Sequence, residues 1–533
     1  MLKADRTLYF GGPILTMDKK TPKVGALLVE KGRVAALGSA EELAEYAIGA
    51  DLVDLRGGTL MPAFVDGHSH MSGMGQFRLK CDLTDCRSLE ELLQRLRDYR
   101  EARGLTHGEP IVARGFDQAI MGACPTAALL DSLGWDNPIA CIHQSGHTAT
   151  YNSAAMAACG VDENWVCPPG GYAERDAQGR LTGYFEEKAK APFNAYFNTV
   201  TPEIFEQGVL EAQDYYLSRG ITTIQDGSGH GPDRLEIYRR LAREGKLKAD
   251  VVVYIAPDPK DPEFWQQALA QCGNRVYKNH LKIGGVKLVL DGSPQARTAW
   301  MRQPYEGETD YVAYPLHTDE WVRGVLDRCI AAGLQPIAHC NGDAAAQQFL
   351  DQWEAAVQAA GHGPELRPIM IHAQTVGFDQ LDRMKALGMH PSFFVGHCWF
   401  WGDTHLKNFG DRGQRISPVR AALDRGLVPN FHQDCPVTRP EMLHSVWCAV
   451  NRLTRNGVRI GPDQAVTVEQ ALRAATNGGA FAYFEENKKG ILKPGAAADL
   501  VVLDKDPTAV PPMEIQNIKV LRTIKDGETV FRA

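Results

Sequence analysis

Short apolar runs rich in β-branched residues recur through the middle of the chain, at residues 221–224, 251–254, 286–290, 336–339, 368–372, 392–395 and 427–431. Most are separated by stretches whose apolar positions repeat every three to four residues, as at 320–332 and 344–360, the period of a helix packed on one face. Strand–helix units in series predict parallel strands, because each helix returns the chain to the start of the next strand. With the apolar run 58–64 the strands number eight, and the prediction is an α/β fold, a distorted (β/α)8 TIM barrel.

The two ends read differently. Residues 7–10, 26–30 and 34–37, and later 499–503, 520–524 and 529–531, are short strands punctuated by turn residues, and Asp526-Gly527 is a strong hairpin signal. Two β-rich ends around a different middle predict that 1–58 and 488–533 pair into a small composite β-sandwich. The barrel then takes 59–84 and 201–487. Residues 85–200 are too many for one crossover and hold their own helix (89–100), strands (111–113 and 139–142) and a Gly-rich hairpin near 168–171. They predict an α/β insertion after barrel strand 1, over the barrel mouth, where βα loops carry function.

Composition narrows the partners. Of 533 residues, 44% are hydrophobic and 23% charged, with mean hydropathy −0.27, which is ordinary for a globular protein. A net charge of −8 and a pI near 6.1 argue against nucleic acid or an acidic membrane surface. No stretch reaches the roughly 18 consecutive apolar residues of a membrane span, and Met1 to Arg6 have no apolar core of a signal peptide. The 12 cysteines form no CxxC pair, which suits reduced thiols in a cytoplasm.

Polar side chains at the predicted strand ends add chemistry. In Val65-Asp66-Gly67-His68-Ser69-His70, residues two apart point the same way, so His68 and His70 offer two imidazoles on one face, as a metal ion requires. Lys287 sits in an otherwise apolar strand, where an unpaired ammonium costs several kcal/mol. It needs either an ion pair, with Asp291 the candidate, or capture of CO2 as a carbamate, an anion able to bridge two metals. His339 ends the next strand, His372 the one after, and Asp434 lies just past the eighth. Each alone is an ordinary polar residue. Their recurrence at ends that converge on one barrel face predicts a metal site.

Five stretches carry a resemblance: Asp66-Gly67-His68-Ser69-His70, residues 287–299 from Lys287 through Arg297, His339-Cys340-Asn341-Gly342-Asp343, Ile371-His372-Ala373-Gln374, and Asp434-Cys435-Pro436-Val437. With the tail 490–501 they make the chain resemble the metal-dependent amidohydrolase superfamily, most closely the amidohydrolase-3 branch that includes N-substituted formamide deformylases. The resemblance implies two divalent metal ions, zinc above others. His68, His70 and Asp434 would hold the first, His339 and His372 the second, with a carbamate on Lys287 between them. It also implies a small-molecule substrate and a homodimer. One departure is Gln433 after His432, where many relatives have Ser before the final Asp.

The expected chemistry follows from these ligands. Zinc-like ions bring bound water to a pKa of roughly 7, so a metal-bound hydroxide can attack an amide or N-substituted formamide and cleave its C–N bond. Asp434 is the expected catalytic residue, taking the proton and handing it to the leaving amine. A hydrolytic deaminase of a heterocycle or amidine is the rival on the same scaffold, and a non-catalytic homologue the rival of another class. No GxSxG elbow, GxGxxG or Walker motif supports another chemistry. Substrate contacts are expected from His147 in the insertion, from Arg297, which can grip a carboxylate, and from His397 and Trp399 as apolar pocket lining. For each of these four a purely structural role competes. His107, His280, His362, His390, His405 and His444 read as surface or core residues.

Overall fold

The computed structural model describes residues 6–143, 146–198, 200–257, 275–361 and 365–533, so Gln144, Ser145 and His362 lie outside the described residues. The chain divides into two compact units, Met1–Met74 with Ala212–Ala533, and Gly75–Glu211.

In the first unit eight strands pair in chain order, all parallel: Phe64–Val65, Ile221–His230, Asp250–Ile255, Leu281–Val289, Gln335–Cys340, Ile369–His372, His390–Phe393 and Asn430–Phe431. The sheet curls into a TIM-barrel-like fold. The Gly67 N–H donates to the Phe431 carbonyl (3.1 Å), joining the first strand to the eighth. Only glycine permits this approach, since a Cβ at position 67 would stand 2.7 Å from that carbonyl oxygen. The intervening helices follow the predicted period. Asp319–Ala332 buries Val322, Val325, Leu326 and Cys329. Thr318 caps its start by accepting from the Trp321 N–H, and Gly333 ends it in the left-handed conformation.

At the strand starts lies a buried group of charges. Lys489 Nζ is 2.5 Å from Asp250 Oδ2 and 2.8 Å from Glu485 Oε2, Lys525 Nζ is 3.2 Å from Asp499 Oδ1, and Lys282 binds Glu485. The third and fourth strands are thereby tied to the C-terminal segment.

Strands from both chain ends share one six-stranded sheet, in the order Glu528–Arg532, Val520–Lys525, Leu500–Leu503, Thr59–Pro62, Ile14–Leu15, Lys23–Val24. A four-stranded sheet holds Arg33–Gly38, Ala26–Glu30, Arg6–Phe10 and Asp51–Asp54. Tyr9, Leu27 and Val29 of the second pack in one apolar cluster with Ile14, Leu60, Leu500 and Ile524 of the first. The run 58–64, read above as one barrel strand, is split. Thr59–Pro62 pairs antiparallel with Leu500–Leu503, and only Phe64–Val65 joins the barrel. Both halves are buried, so hydrophobicity does not mark the switch.

The second unit has its own six-stranded sheet, Gly171–Arg175, Leu181–Glu187, Thr148–Tyr151, Ile139–His143, Ile111–Phe116 and Cys81–Asp82, with the helix Leu89–Arg103. It starts earlier than residue 85 because Cys81–Asp82 pairs with Ile111–Phe116. Among the described residues no helix is long and apolar enough to cross a membrane.

Candidate metal centre

The ends of the first and eighth strands bring three candidate ligands together. One ligand atom from each of His68, His70 and Asp434 lies within 4.8 Å of the others. His70 Nε2 is 3.1 Å and His68 Nε2 3.5 Å from Asp434 Oδ1. Lys287 Nζ, on the fourth strand, stands 2.9 Å from His68 Nε2. His339 and His372, from the fifth and sixth strands, face each other with Nδ1 and Nε2 2.9 Å apart. The ring centroids of His68 and His372 are 5.9 Å apart, so the six residues occupy one region.

Two of the rings, His68 and His339, are held by the atom that does not face the centre. His68 Nδ1–H donates to Gln225 Oε1, and Gln225 is itself fixed because its Nε2 donates to the Gly67 carbonyl and to Tyr483 Oη. That leaves the His68 Nε2 lone pair toward Lys287 and Asp434. His339 Nε2–H donates to the Gly292 carbonyl (3.0 Å), leaving Nδ1 toward His372. Gly227 lies so close that a Cβ there would stand 2.5 Å from His68 Cε1. His372 (φ 71°) and Asp434 (φ 52°) adopt left-handed backbone. Such strain costs about 1–2 kcal/mol per residue and is characteristic of functional sites.

Electrostatics agree with a ligand set. Burial, and then the Lys287 charge, hold His68 well below the usual imidazole range and His339 at about 4. Burial followed by the charge of His339 does the same to His372. These rings are therefore neutral at pH 7, and each has a lone pair that a metal ion can take. Burial alone would raise Asp434, but the His70 contact and the charges of His372 and His68 bring it well below the carboxylate range. Two buried atoms, Asp434 Oδ1 and His372 Nδ1, have no hydrogen-bond partner. A buried carboxylate oxygen with no well-aligned donor, beside imidazole nitrogens, fits a divalent cation.

The amidohydrolase family model matches residues 51–531. The chain belongs to the amidohydrolase family. It is 27% identical to an N-substituted formamide deformylase of Arthrobacter pascens, over 96% of each chain. A solved structure of an uncharacterized metal-dependent hydrolase from Pyrococcus furiosus is 26% identical, covers 94% of this chain and all of its own, and superposes with a TM-score of 0.75. Its counterpart from Pyrococcus horikoshii OT3 is 26% identical, covers 95% and 99%, and gives 0.74. The protein is accordingly a metal-dependent hydrolase acting on carbon–nitrogen bonds.

Within this amidohydrolase the alternatives for Lys287 separate. Asp291 is not its partner, because its carboxylate accepts the backbone N–H groups of Trp300 (3.0 Å), Asn341 (2.9 Å) and Gly342 (2.7 Å). Among the described residues no carboxylate lies within ion-pair distance of Lys287, and burial lowers its ammonium pKa to about 8.

The four expected substrate contacts have these surroundings. His147 belongs to the unit Gly75–Glu211, where its Nδ1 is 2.7 Å from Glu187 Oε1. Arg297 already grips Glu308 (2.9 Å) and lies over the Tyr305 ring. Trp399 packs edge-on against Trp447. His397 is buried, with Nδ1 3.0 Å from His405 Nε2 and its ring against Phe394 and Trp401. His432, which the sequence reading passed over, is fully buried with its ring 5.3 Å from His68 and 5.1 Å from His372. The signal was available: His432 and Asp434 are two apart after a strand, the same spacing as His68 and His70.

Proposed function

We propose that the protein hydrolyses a small amide or N-substituted formamide at a two-metal centre. His68, His70 and Asp434 would hold one ion, His339 and His372 the other, and Lys287, as a carbamate, would bridge them. The observation that carries this reading is Lys287 Nζ, a buried amine 2.9 Å from His68 Nε2 with no carboxylate partner. Carbamylation would turn a costly buried cation into an anion beside neutral imidazoles. The similarity to the Arthrobacter pascens deformylase supports the formamide class.

Divalent ions held here would supply Lewis acidity that activates water near neutral pH. The chain's own residues do the rest. Asp434 is kept ionised and so can accept the water proton, then return it to the departing amine. Gln225 and the Gly292 carbonyl keep the His68 and His339 rings oriented throughout. We read the two terminal sheets as a β-sandwich without site residues and the unit Gly75–Glu211 as an insertion after the first barrel strand. The described cysteines are all free thiols, which supports a reducing cytoplasm.

The test is elemental analysis of the purified protein followed by a screen of N-formyl and N-acyl amines. Two metal ions per chain and release of carboxylate plus amine are expected. Release of ammonia from a retained carbon skeleton would instead assign a deaminase, and one ion per chain would refute the bridging role of Lys287.

A further inference from the structure

We propose that Ser228 and Asp226 are positioning residues that fix the tautomer of His70 for metal binding. The inference rests on the metal reading above. Asp226 ends the straight part of the second barrel strand and is fully buried, yet the hydrolytic scheme makes no use of it. Its Oδ1 accepts the Ser228 N–H (3.3 Å) and the Ser228 hydroxyl (2.6 Å). Its Oδ2 accepts the Ser72 N–H (3.0 Å) and the Tyr238 hydroxyl, with His230 Nε2 at 2.8 Å.

A serine hydroxyl has one proton to give. Once that proton is committed to Asp226, Ser228 Oγ can act toward His70 Nδ1, 3.3 Å away, only as an acceptor. With an ion bound, His70 Nδ1 would therefore carry the ring proton, and Nε2, which lies 3.1 Å from Asp434 Oδ1, would offer its lone pair to the metal. The backbone delivers Ser228 to this place. His70 and Asp226 form an antiparallel bridge, and the Gly227 N–H donates to the Ser69 carbonyl at 2.8 Å. His68 has Gln225 for the same task, so the two imidazoles of the first ion are oriented by different groups, an amide and a carboxylate-bound hydroxyl.

Partners of this kind tune metal affinity by roughly ten- to a hundredfold. The experiment uses the full chain stripped of metal and measures zinc affinity by competition with a chromophoric chelator, together with the visible spectrum of the cobalt-loaded protein. Ser228→Ala is expected to weaken one zinc per chain by about tenfold or more and to shift the cobalt bands. Ser228→Thr, which keeps the hydroxyl, restores both. Tyr238→Phe, which touches Asp226 but not His70 in the contacts described above, changes them less. If Ser228→Ala does not fold, Ser228→Gly, which also lacks the hydroxyl, carries the same test. His70→Ala is the reference. If it loses an ion while Ser228→Ala binds zinc within twofold of the parent, the positioning role is overturned and the metal reading survives. If His70→Ala binds zinc normally, the metal reading fails and the inference with it. Equal losses in Ser228→Ala and Ser228→Thr would also overturn the proposal, since they would assign Ser228 a packing role alone.

Discussion

Gly227→Ala probes the centre without removing any candidate ligand. An ideal Cβ at this position would lie 2.5 Å from His68 Cε1, 2.7 Å from His68 Nδ1 and 2.7 Å from Gln225 Oε1. Carbon atoms in contact prefer about 3.5–4.0 Å, so the ring must retreat by about 1 Å. It cannot slide freely: Nδ1–H is tied to Gln225, and His68 is fully buried. A displacement of that size far exceeds the roughly 0.2 Å tolerance of a metal–ligand bond. Overpacking of this kind costs about 1–3 kcal/mol, which converts to a loss of about five- to 150-fold in the affinity of the first ion if the metal-bound form bears the strain.

The assay is the zinc content of purified protein after dialysis against graded chelator, read beside the melting temperature of the metal-free form. Gly324→Ala is the control. That glycine lies in the helix Asp319–Ala332 with nothing within 4 Å of its Cβ position, and the substitution should stabilise by about 0.5–1 kcal/mol while leaving metal content unchanged. A Gly227→Ala protein with parental zinc content and parental melting would show that His68 is not held against the Gly227 backbone, and the account of ring orientation would have to be abandoned.

Three further outcomes are expected. Burial holds His390 at about 4 against roughly 6.5 in an unfolded chain, so the unfolded state binds the extra proton. Stability is therefore full above pH 6.5 and falls as pH drops toward 4; His390→Gln should flatten the urea midpoint over that window, and an unchanged slope would refute it. CO2 adds only to a neutral amine, and a Lys287 pKa of about 8 makes that form fall about tenfold for each pH unit well below 8. Zinc reloading of stripped protein should then need bicarbonate and slow steeply below neutrality, with a bound ¹³C carbamate visible by NMR; reloading in CO2-free buffer at full rate counts against the carbamate. Lys489→Met leaves Asp250 and Glu485 each short of a cation. Breaking a buried pair costs about 3–5 kcal/mol, and a loss in urea unfolding well under 1 kcal/mol would show the group to be solvated.

Much of this was legible from residue spacing. His68 and His70, His339, His372 and Asp434 each sit at the end of an apolar run, and strand ends of one parallel barrel meet by topology alone. What remained hidden depends on contacts without a local signature. The partner of Arg297 is Glu308, on an irregular loop, and the partner of Trp399 is Trp447, on the helix Met442–Asn451. The strand read at 221–224 runs on to His230, and nothing in Gln225-Asp226-Gly227-Ser228 announces this. The split of 58–64 was hidden because both sheets bury their share equally.

The division of the candidate ligands among strands has a thermodynamic consequence. His339 and His372 stand on neighbouring strands whose pairing sets Cys340 opposite His372, so their separation is fixed by one ladder. His68, His70 and Asp434 come from the first and eighth strands, which are adjacent only once the barrel closes through Gly67 N–H to Phe431 and His70 N–H to the Cys435 carbonyl (2.7 Å). An ion bound by these three therefore binds the closed barrel and not the open chain, and its binding free energy adds to the stability of that closure. An ion on the His339 side, if bound, would stabilise a contact that two paired strands already make. Chelation should accordingly lower the melting temperature more in the parent than in His70→Ala, whereas His339→Ala should keep most of the parental drop. Equal drops in all three would mean that closure of the barrel does not depend on the metal.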